Sequence, residues 1–237
     1  MKNKIAIVDG NNLLYRAYYK FNNMRAQSGA LTSVIYGFPY ILRGMLSQHD
    51  PDELIVVFDG GRDKKRLELH PEYKDKRVQK VGFDKEDFYF QRDTVLEILK
   101  MLGIKYVMVK NREADDIIWL LARKLKRNNH VIIISSDKDF NQLISPNVSV
   151  WNPKAEKRYT HKNLEKEIGY DPKRCVDFLI LDGDVSDNIK GMIGVGPARA
   201  KDFISKTKSI GDYLINNQGE IKSFERHRLE PVFLLNR

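Results

Sequence analysis

Cysteine is almost absent, with Cys175 the single one in 237 residues. That excludes a disulfide framework and fits a reducing interior, so a cytoplasmic setting is expected. Apolar runs are short as well. None approaches the ~20 residues that span a bilayer, and no membrane partner is expected. The opening "MKNKIAIVDG" reads as a strand rather than a secretion signal. The histidines (His49, His70, His130, His161 and His227) are scattered and have no cysteine partners, so they offer no zinc site. There is no Walker A stretch and no recognisable nucleophilic triad. Acid is in deficit: 32 Asp and Glu stand against 41 Lys and Arg, giving a net charge of +9. Such a balance favours a polyanionic partner.

What is present is a set of β-branched runs. "KIAIVDG" (4–10), "ELIVVFDGG" (53–61), "IKYVMVK" (104–110) and "VIIISSDKDF" (131–140) are continuous rather than alternating. They predict strands buried on both faces, as in a parallel sheet. Helical stretches at about 33–47, 86–102 and 113–127 alternate with them. The expected class is therefore α/β, a mostly parallel central sheet flanked by helices. "VSVWNP" (148–153) is expected as a further strand, at an edge. Residues 62–80 carry eight basic and four acidic side chains, too polar to bury, and read as a mobile insertion. Beyond about residue 160 only helical segments are predicted, separated by "GDVSDN" and "GMIGVGPARA". Two domains follow: 1–160, with the basic insertion at about 62–90, and a helical region at 161–237.

The scarce acids fall at strand ends. Asp9 closes the first predicted strand and Asp59 the second. Glu113, Asp115 and Asp116 follow the third, Asp137 and Asp139 follow the fourth, and "GDVSDN" adds Asp184 and Asp187. Ligands of open α/β sheets bind beyond these carboxyl ends. Any one of these acids is explained by a helix N-terminus, worth about 0.3–1 kcal/mol, or by a turn. Two carboxylates ~5 Å apart, however, repel by about 3 kcal/mol at an effective dielectric of ~20. A shared cluster therefore needs cations, and an all-oxygen donor set suits Mg²⁺ or Mn²⁺. On an ideal helix Glu113 and Asp116 share a side while Asp115 points about 100° away. Either that turn is irregular or the acids serve two ions. Paired divalent ions provide phosphodiester hydrolysis without a nucleophilic side chain.

The basic insertion reads either as a solvated surface helix or as a phosphate grip by Arg66, Lys74 and Arg77, with Tyr73 stacking on a base. In "GMIGVGPARAKDFI" (191–204), Gly194 and Gly196 precede Pro197 at a first helical position, with Arg199 and Lys201 just inside. Exposed amides at such a start can hold a DNA phosphate; a plain interhelical turn is the alternative.

The ordered set "IVDGNN", "VVFDGG", "PEYKDKR", "READDII", "ISSDKDFNQL" and "GDVSDNIKGMIGVGPARA" resembles the structure-specific 5′ nucleases, over about residues 4–205. That family includes phage flap endonucleases and 5′ exonucleases, the phage ribonuclease H type, and the 5′-nuclease domain of bacterial DNA polymerase I. The resemblance implies a PIN-like core, a helical arch and a helix–three-turn–helix DNA-binding element. It makes the nine acids above metal ligands for two or more Mg²⁺ or Mn²⁺ ions. It places Lys74 and Arg77 in the arch as catalytic residues, and Arg16 where the family has a DNA-contacting base. Gly194, Gly196, Arg199 and Lys201 fall in the duplex-binding element, which binds K⁺ in some relatives. The implied partners are flaps, nicks and RNA–DNA hybrids, together with a single-strand binding protein or a replicative polymerase.

The chain stops at Arg237, where relatives commonly continue, so it reads as a compact member or a truncated one. A stand-alone, phage-encoded, monomeric nuclease is expected. Two rival readings share parts of this pattern. A haloacid-dehalogenase-like phosphatase needs an acid two residues after Asp9, where this chain has Asn11. A structure-specific DNA-binding protein would bind a flap without cutting it.

Overall fold

A computed structural model describes residues 2–69, 71–74, 83–185, 187–192 and 194–211. Arg77 and the remainder of the basic insertion up to residue 82 lie outside the described residues. In chain order the elements begin with β1 (Lys4–Asp9), α1 (Gly10–Lys20), α2 (Ser33–His49), β2 (Glu53–Phe58) and α3 (Lys64–Leu69). Then come α4 (Lys85–Met101), β3 (Lys105–Met108), α5 (Ala114–Leu125), β4 (His130–Ile134), β5 (Val148–Asn152) and β6 (Lys157–Tyr159). The chain continues with α6 (Leu164–Ile168), α7 (Cys175–Asp182), β7 (Gly183–Asp184), β8 (Ile189–Lys190) and α8 (Pro197–Lys206). Among the described residues no helix is long and apolar enough to cross a membrane.

Two compact units divide these elements. The first comprises 1–62 and 79–160, and the second comprises 63–78 and 161–237. Of the basic insertion expected at about 62–90, residues 63–69 and 71–74, including α3, group with the helical unit, while 62 and 83–90 group with the sheet.

In the first unit the sheet runs β3-β2-β1-β4-β5-β6, parallel except for β6, which pairs antiparallel with β5. β-branched runs form it because both of its faces are dry. Ala6, Val8, Val56, Phe58, Ile132 and Ile134 point into one core with α1, α2 and α4. Ile7, Val57, Val131 and Ile133 point into the other, against Ala114, Ile118 and Ala122 of α5. Consecutive residues thus serve opposite faces, which a continuous apolar run permits and an alternating one does not.

Three elements depart from the sequence reading. The expected edge strand at 148–153 is internal, because the three-residue β6 covers it; a strand so short and polar leaves no periodic signal. A two-residue ladder, β7–β8, stands where no strand was expected, for the same reason. Helix α1 begins directly at Gly10, where "DGNN" looks like a turn. The Asp9 carboxylate accepts from Asn12 N–H at 2.9 Å as N-cap, and Leu13, Leu14, Ala17 and Tyr18 fill the core behind it.

The start of α2 is capped across space rather than locally, and its end is bonded across space in addition to its own Asp50 cap. Thr32 makes no side-chain cap for α2. Instead the fully buried Gln91 of α4 accepts from Val34 N–H at 2.8 Å and Ile35 N–H at 3.3 Å, while donating to Asp87 at 2.6 Å. Lys4 Nζ donates to the carbonyls of His49 and Asp50 at the other end of α2. Gln91→Leu keeps the volume but strands the buried Val34 N–H and the half-buried Ile35 N–H, so urea denaturation should register a loss of about 2–4 kcal/mol.

In the second unit, Phe178, Ile180 and Leu181 of α7 pack on Ala200 and Ile204 of α8. The Arg174 guanidinium ties the pair, meeting Asp177 and donating to the carbonyls of Ile204 and Thr207 at the end of α8. A cation at a helix C-terminus satisfies carbonyls that have no partner within the helix.

Candidate active site

Asp9 is the last residue of β1 and Asp59 the first after β2; parallel pairing in register (Asp9 opposite Val57, Val8 opposite Ile134) brings their ends level. Each is followed by a glycine required by contact rather than by turn geometry. A Cβ on Gly10 would lie 2.5 Å from the Phe58 ring, and one on Gly60 would lie 1.9 Å from the Val109 carbonyl oxygen. Both "DG" pairs therefore fix how closely neighbouring segments approach.

Burial and hydrogen bonds orient the two carboxylates. Asp9 is 6 % exposed. Its Oδ2 accepts from Ser135 Oγ at 2.8 Å, while Oδ1 caps α1. Burial pushes its pKa up from 3.8 to about 6 against the lowering effect of these two bonds, and the neighbouring charges of Asp59 and Asp137 add to the rise. Asp59 Oδ1 accepts from Ala114 N–H at 2.6 Å, and Oδ2 accepts from Asn11 Nδ2 at 2.7 Å. Asp59 is thus the residue that caps α5.

That settles the geometry of "EADDII". Glu113 occupies the N-cap position in extended conformation (φ −80°, ψ 149°), makes no side-chain cap bond, and is buried. The helix starts at Ala114, so Asp115 and Asp116 alone occupy its first turn. The helix thus begins one residue later than the acidic run, and Glu113 lies outside its first turn. After β4, Asp137 N–H donates to Ser135 Oγ at 3.1 Å, and the Asp137 carboxylate accepts from Asp139 N–H at 2.8 Å.

All seven acids of the first unit therefore stand at or just beyond the carboxyl ends of its parallel strands. Among the described residues, no three acids, histidines or cysteines are arranged to enclose a metal ion. The donor set is nonetheless all carboxylate; burial first, and the Asp59 and Asp137 charges after it, raise the Asp9 pKa, and a cation would offset both by favouring the ionised form. Hard divalent ions fit this chemistry.

Asp184 and Asp187 lie in the second unit, on the β7–β8 turn, where Asp187 N–H donates to Asp184 Oδ1 at 3.3 Å. Lys74 and Tyr73 belong to the same unit and both engage Asp187. Tyr73 OH donates to its Oδ2 at 3.0 Å, Lys74 Nζ stands 3.7 Å from that oxygen, and Lys74 N–H donates to the Asp187 carbonyl at 3.0 Å. Asn188 closes the clasp by donating to the Glu72 carbonyl at 2.9 Å. Tyr73 is consequently only 4 % exposed, which corrects its expected role: a ring so buried presents no face to a base. Arg66 lies over that ring, 5.9 Å from its centroid.

Gly194 adopts φ 75°, Gly196 is the N-cap of α8, and Pro197 opens the helix as expected. Arg199 Nη1 donates to the Gly194 carbonyl at 2.7 Å, and Lys201 is half-buried beside Gly169. In the first unit, Arg16 is half-buried, and its Nε has no hydrogen-bond partner among the described residues.

Sequence reasoning missed Asn11, Asn12 and Ser135. Asn11 was noticed only as a missing acid, and its amide is in fact committed to Asp59.

Comparison with known proteins bears on family and fold. The family model "5′-3′ exonuclease, N-terminal resolvase-like domain" matches residues 4–169. The 5′-3′ exonuclease of Aquifex aeolicus is 33% identical over 229 residues, covering 96% of this chain and 78% of the relative. DNA polymerase I of Mycobacterium tuberculosis is 32% identical over 222 residues, 91% of this chain but 24% of that enzyme. In fold, the chain is similar to a bacteriophage T5 flap endonuclease solved with DNA and metal ions (TM-score 0.78, 22% identity, 98% of this chain and 85% of that one). It is also similar to flap endonuclease-1 from Methanococcus jannaschii (TM-score 0.63, 20% identity, 100% and 78%).

Proposed function

The chain belongs to the 5′-3′ exonuclease family and is a phosphodiester-cleaving hydrolase, and on that premise we propose a Mg²⁺- or Mn²⁺-dependent nuclease that removes 5′ flaps or RNA primers from branched DNA during replication. The observation that supports this most is the delivery of seven carboxylates to one sheet edge, with Asp9 buried and its pKa raised. Divalent ions held by Asp9, Asp59, Glu113, Asp115, Asp116, Asp137 and Asp139 would supply an activated water and neutralise charge at the scissile phosphate. The protein's own groups do the rest. Ser135, Asn11 and the Ala114 amide hold the carboxylates in fixed orientation, so little reorganisation is needed as charge develops.

Asp184 and Asp187 are proposed as further ligands. Lys74 shields the charge of Asp187 and, with Arg77 and Arg66, contacts the 5′ strand; the half-buried Arg16 is proposed as a phosphate contact in the first unit. The amides at Gly194 and Gly196 and the Arg199 and Lys201 side chains would take the duplex backbone. A K⁺ ion at this turn would have to displace the Arg199 guanidinium from the Gly194 carbonyl. A single-strand binding protein or polymerase as recruiter, a monomeric state and a cytoplasmic location complete the proposal.

The test is product length on 5′-labelled flap, nicked and RNA-primed duplexes. Cuts within a few nucleotides of the junction support flap action, and stepwise mononucleotide release supports exonuclease action. Binding without any cut in Mg²⁺ would favour the non-catalytic reading.

A further inference from the structure

Asn11 and Asn12 follow Asp9 after Gly10 and reach from the central strand toward its two neighbours. Asn11 reaches the β2 side: its Nδ2 donates to Asp59 Oδ2 at 2.7 Å, and its Oδ1 accepts from Asp59 N–H at 3.0 Å. Asn12 reaches the β4 side: its Nδ2 donates to Ser136 Oγ at 2.7 Å, and its Oδ1 accepts from Ser136 N–H at 3.4 Å. Each amide is engaged at both ends, which fixes its orientation without ambiguity, since a backbone N–H can only donate. Each side chain also bridges a sequence separation that no local turn could supply, 48 residues for Asn11 and 124 for Asn12.

We propose that this tandem asparagine pair is a positioning brace for the metal site, setting the spacing and orientation of the acids carried by β2, β1 and β4. Asn11 acts on Asp59 directly. Asn12 acts through the Ser135–Ser136 turn, whose Ser135 hydroxyl both donates to Asp9 and accepts from Asp137 N–H. Neither asparagine touches substrate in this assignment. The chemistry favours amides over acids here. A carboxylate at position 11 could accept the Asp59 N–H but could not donate to the Asp59 carboxylate, so the bond that orients that ligand would be replaced by repulsion. Outer-shell partners of this kind typically hold about 10–100-fold of metal affinity.

This inference rests on the divalent-metal reading, and the experiment separates the two. Mn²⁺ binding is measured on the whole chain without DNA, by electron paramagnetic resonance, for wild type, Asn11→Ala, Asn12→Ala and Gln91→Leu. Wild type that binds no Mn²⁺ overturns the metal reading and the brace together. If wild type binds, Asn11→Ala should weaken association by about 10–100-fold, and Asn12→Ala should also weaken it. Gln91→Leu, which destabilises the fold through bonds to Val34, Ile35 and Asp87 and to none of these acids, should leave it unchanged. The half-saturating Mg²⁺ for cleavage should rise by the same factor in Asn11→Ala, with a much smaller fall in rate at saturation. Folded Asn11→Ala with affinity within about twofold of wild type would overturn the brace. If Asn11→Ala does not fold, Asn11→Ser is judged by the same threshold.

Discussion

Asp9→Asn should abolish cleavage and yet make the metal-free protein more stable at neutral pH. The second half follows from burial. The folded pKa of Asp9 is raised from 3.8 to about 6. A group raised in this way favours folding while it is protonated, below about 3.8, and that contribution is lost as pH climbs through about 6. By linkage the loss amounts to about 3 kcal/mol. Asparagine is never charged there and remains a good N-cap for α1, so the cost disappears. In EDTA, urea midpoints of wild type should fall between pH 4 and pH 7, and those of the variant should stay flatter. Mg²⁺ should restore wild type near pH 7.5 and do little for the variant. Activity should drop by at least about a thousandfold, beyond the ~10–100-fold typical of outer-shell partners. A variant that loses stability at pH 7.5 in EDTA would contradict the burial argument.

The second large effect is expected of Lys74→Ala. Lys74 sits in a left-handed conformation (φ 60°) with its side chain only 11% exposed, against Asp187. Its removal takes away the ammonium 3.7 Å from the Asp187 carboxylate and keeps the Tyr73 hydroxyl bond to it. Two losses are therefore combined: charge balance at Asp187 and a positive group for the 5′ strand. Cleavage should slow by about 10²–10³-fold, the range for deletion of one stabilising group in an active site. If Lys74 also contacts phosphate, the slope of log affinity against log salt should become shallower by about one. An unchanged rate would remove Lys74 from the machinery. A slower rate with an unchanged slope would confine it to the clasp.

How much of this was legible beforehand depends on the kind of signal each element carries. β1, β2 and β4 were readable because burial on both faces demands unbroken apolar runs such as Ile5–Val8 and Val131–Ile134. The acids were readable because a parallel sheet sends every strand's carboxyl end to one edge. Helix α1 was not, because Asp-Gly-Asn-Asn has the composition of a turn, and only the contact between Gly10 and Phe58 shows why glycine is needed in a helix's first position. β6 was missed because three polar residues carry no period. Tyr73 was misread because its neighbours are charged, while the Asp187 carboxylate that draws its hydroxyl inward lies 114 residues away. Asn11, Asn12 and Ser135 carry no charge, and although they lie within "IVDGNN" and "ISSDKDFNQL", nothing in those stretches marks what they contact. Their importance lies wholly in distances that only the folded chain displays.

The central claim, that these carboxylates serve divalent-metal hydrolysis at 5′ ends, is tested most directly by one rapid-quench titration. Protein dialysed against EDTA is mixed with a 5′-labelled flap, and the single-turnover rate is followed as Mg²⁺ is added, for wild type and Asp116→Asn. Wild type should be silent without metal, rise with Mg²⁺ and saturate. Asp116→Asn should bind the flap with similar affinity and cleave it at least about a thousandfold more slowly at every Mg²⁺ concentration, as expected for a lost metal ligand. Cleavage by wild type in EDTA, or wild-type rates from Asp116→Asn, would contradict the account.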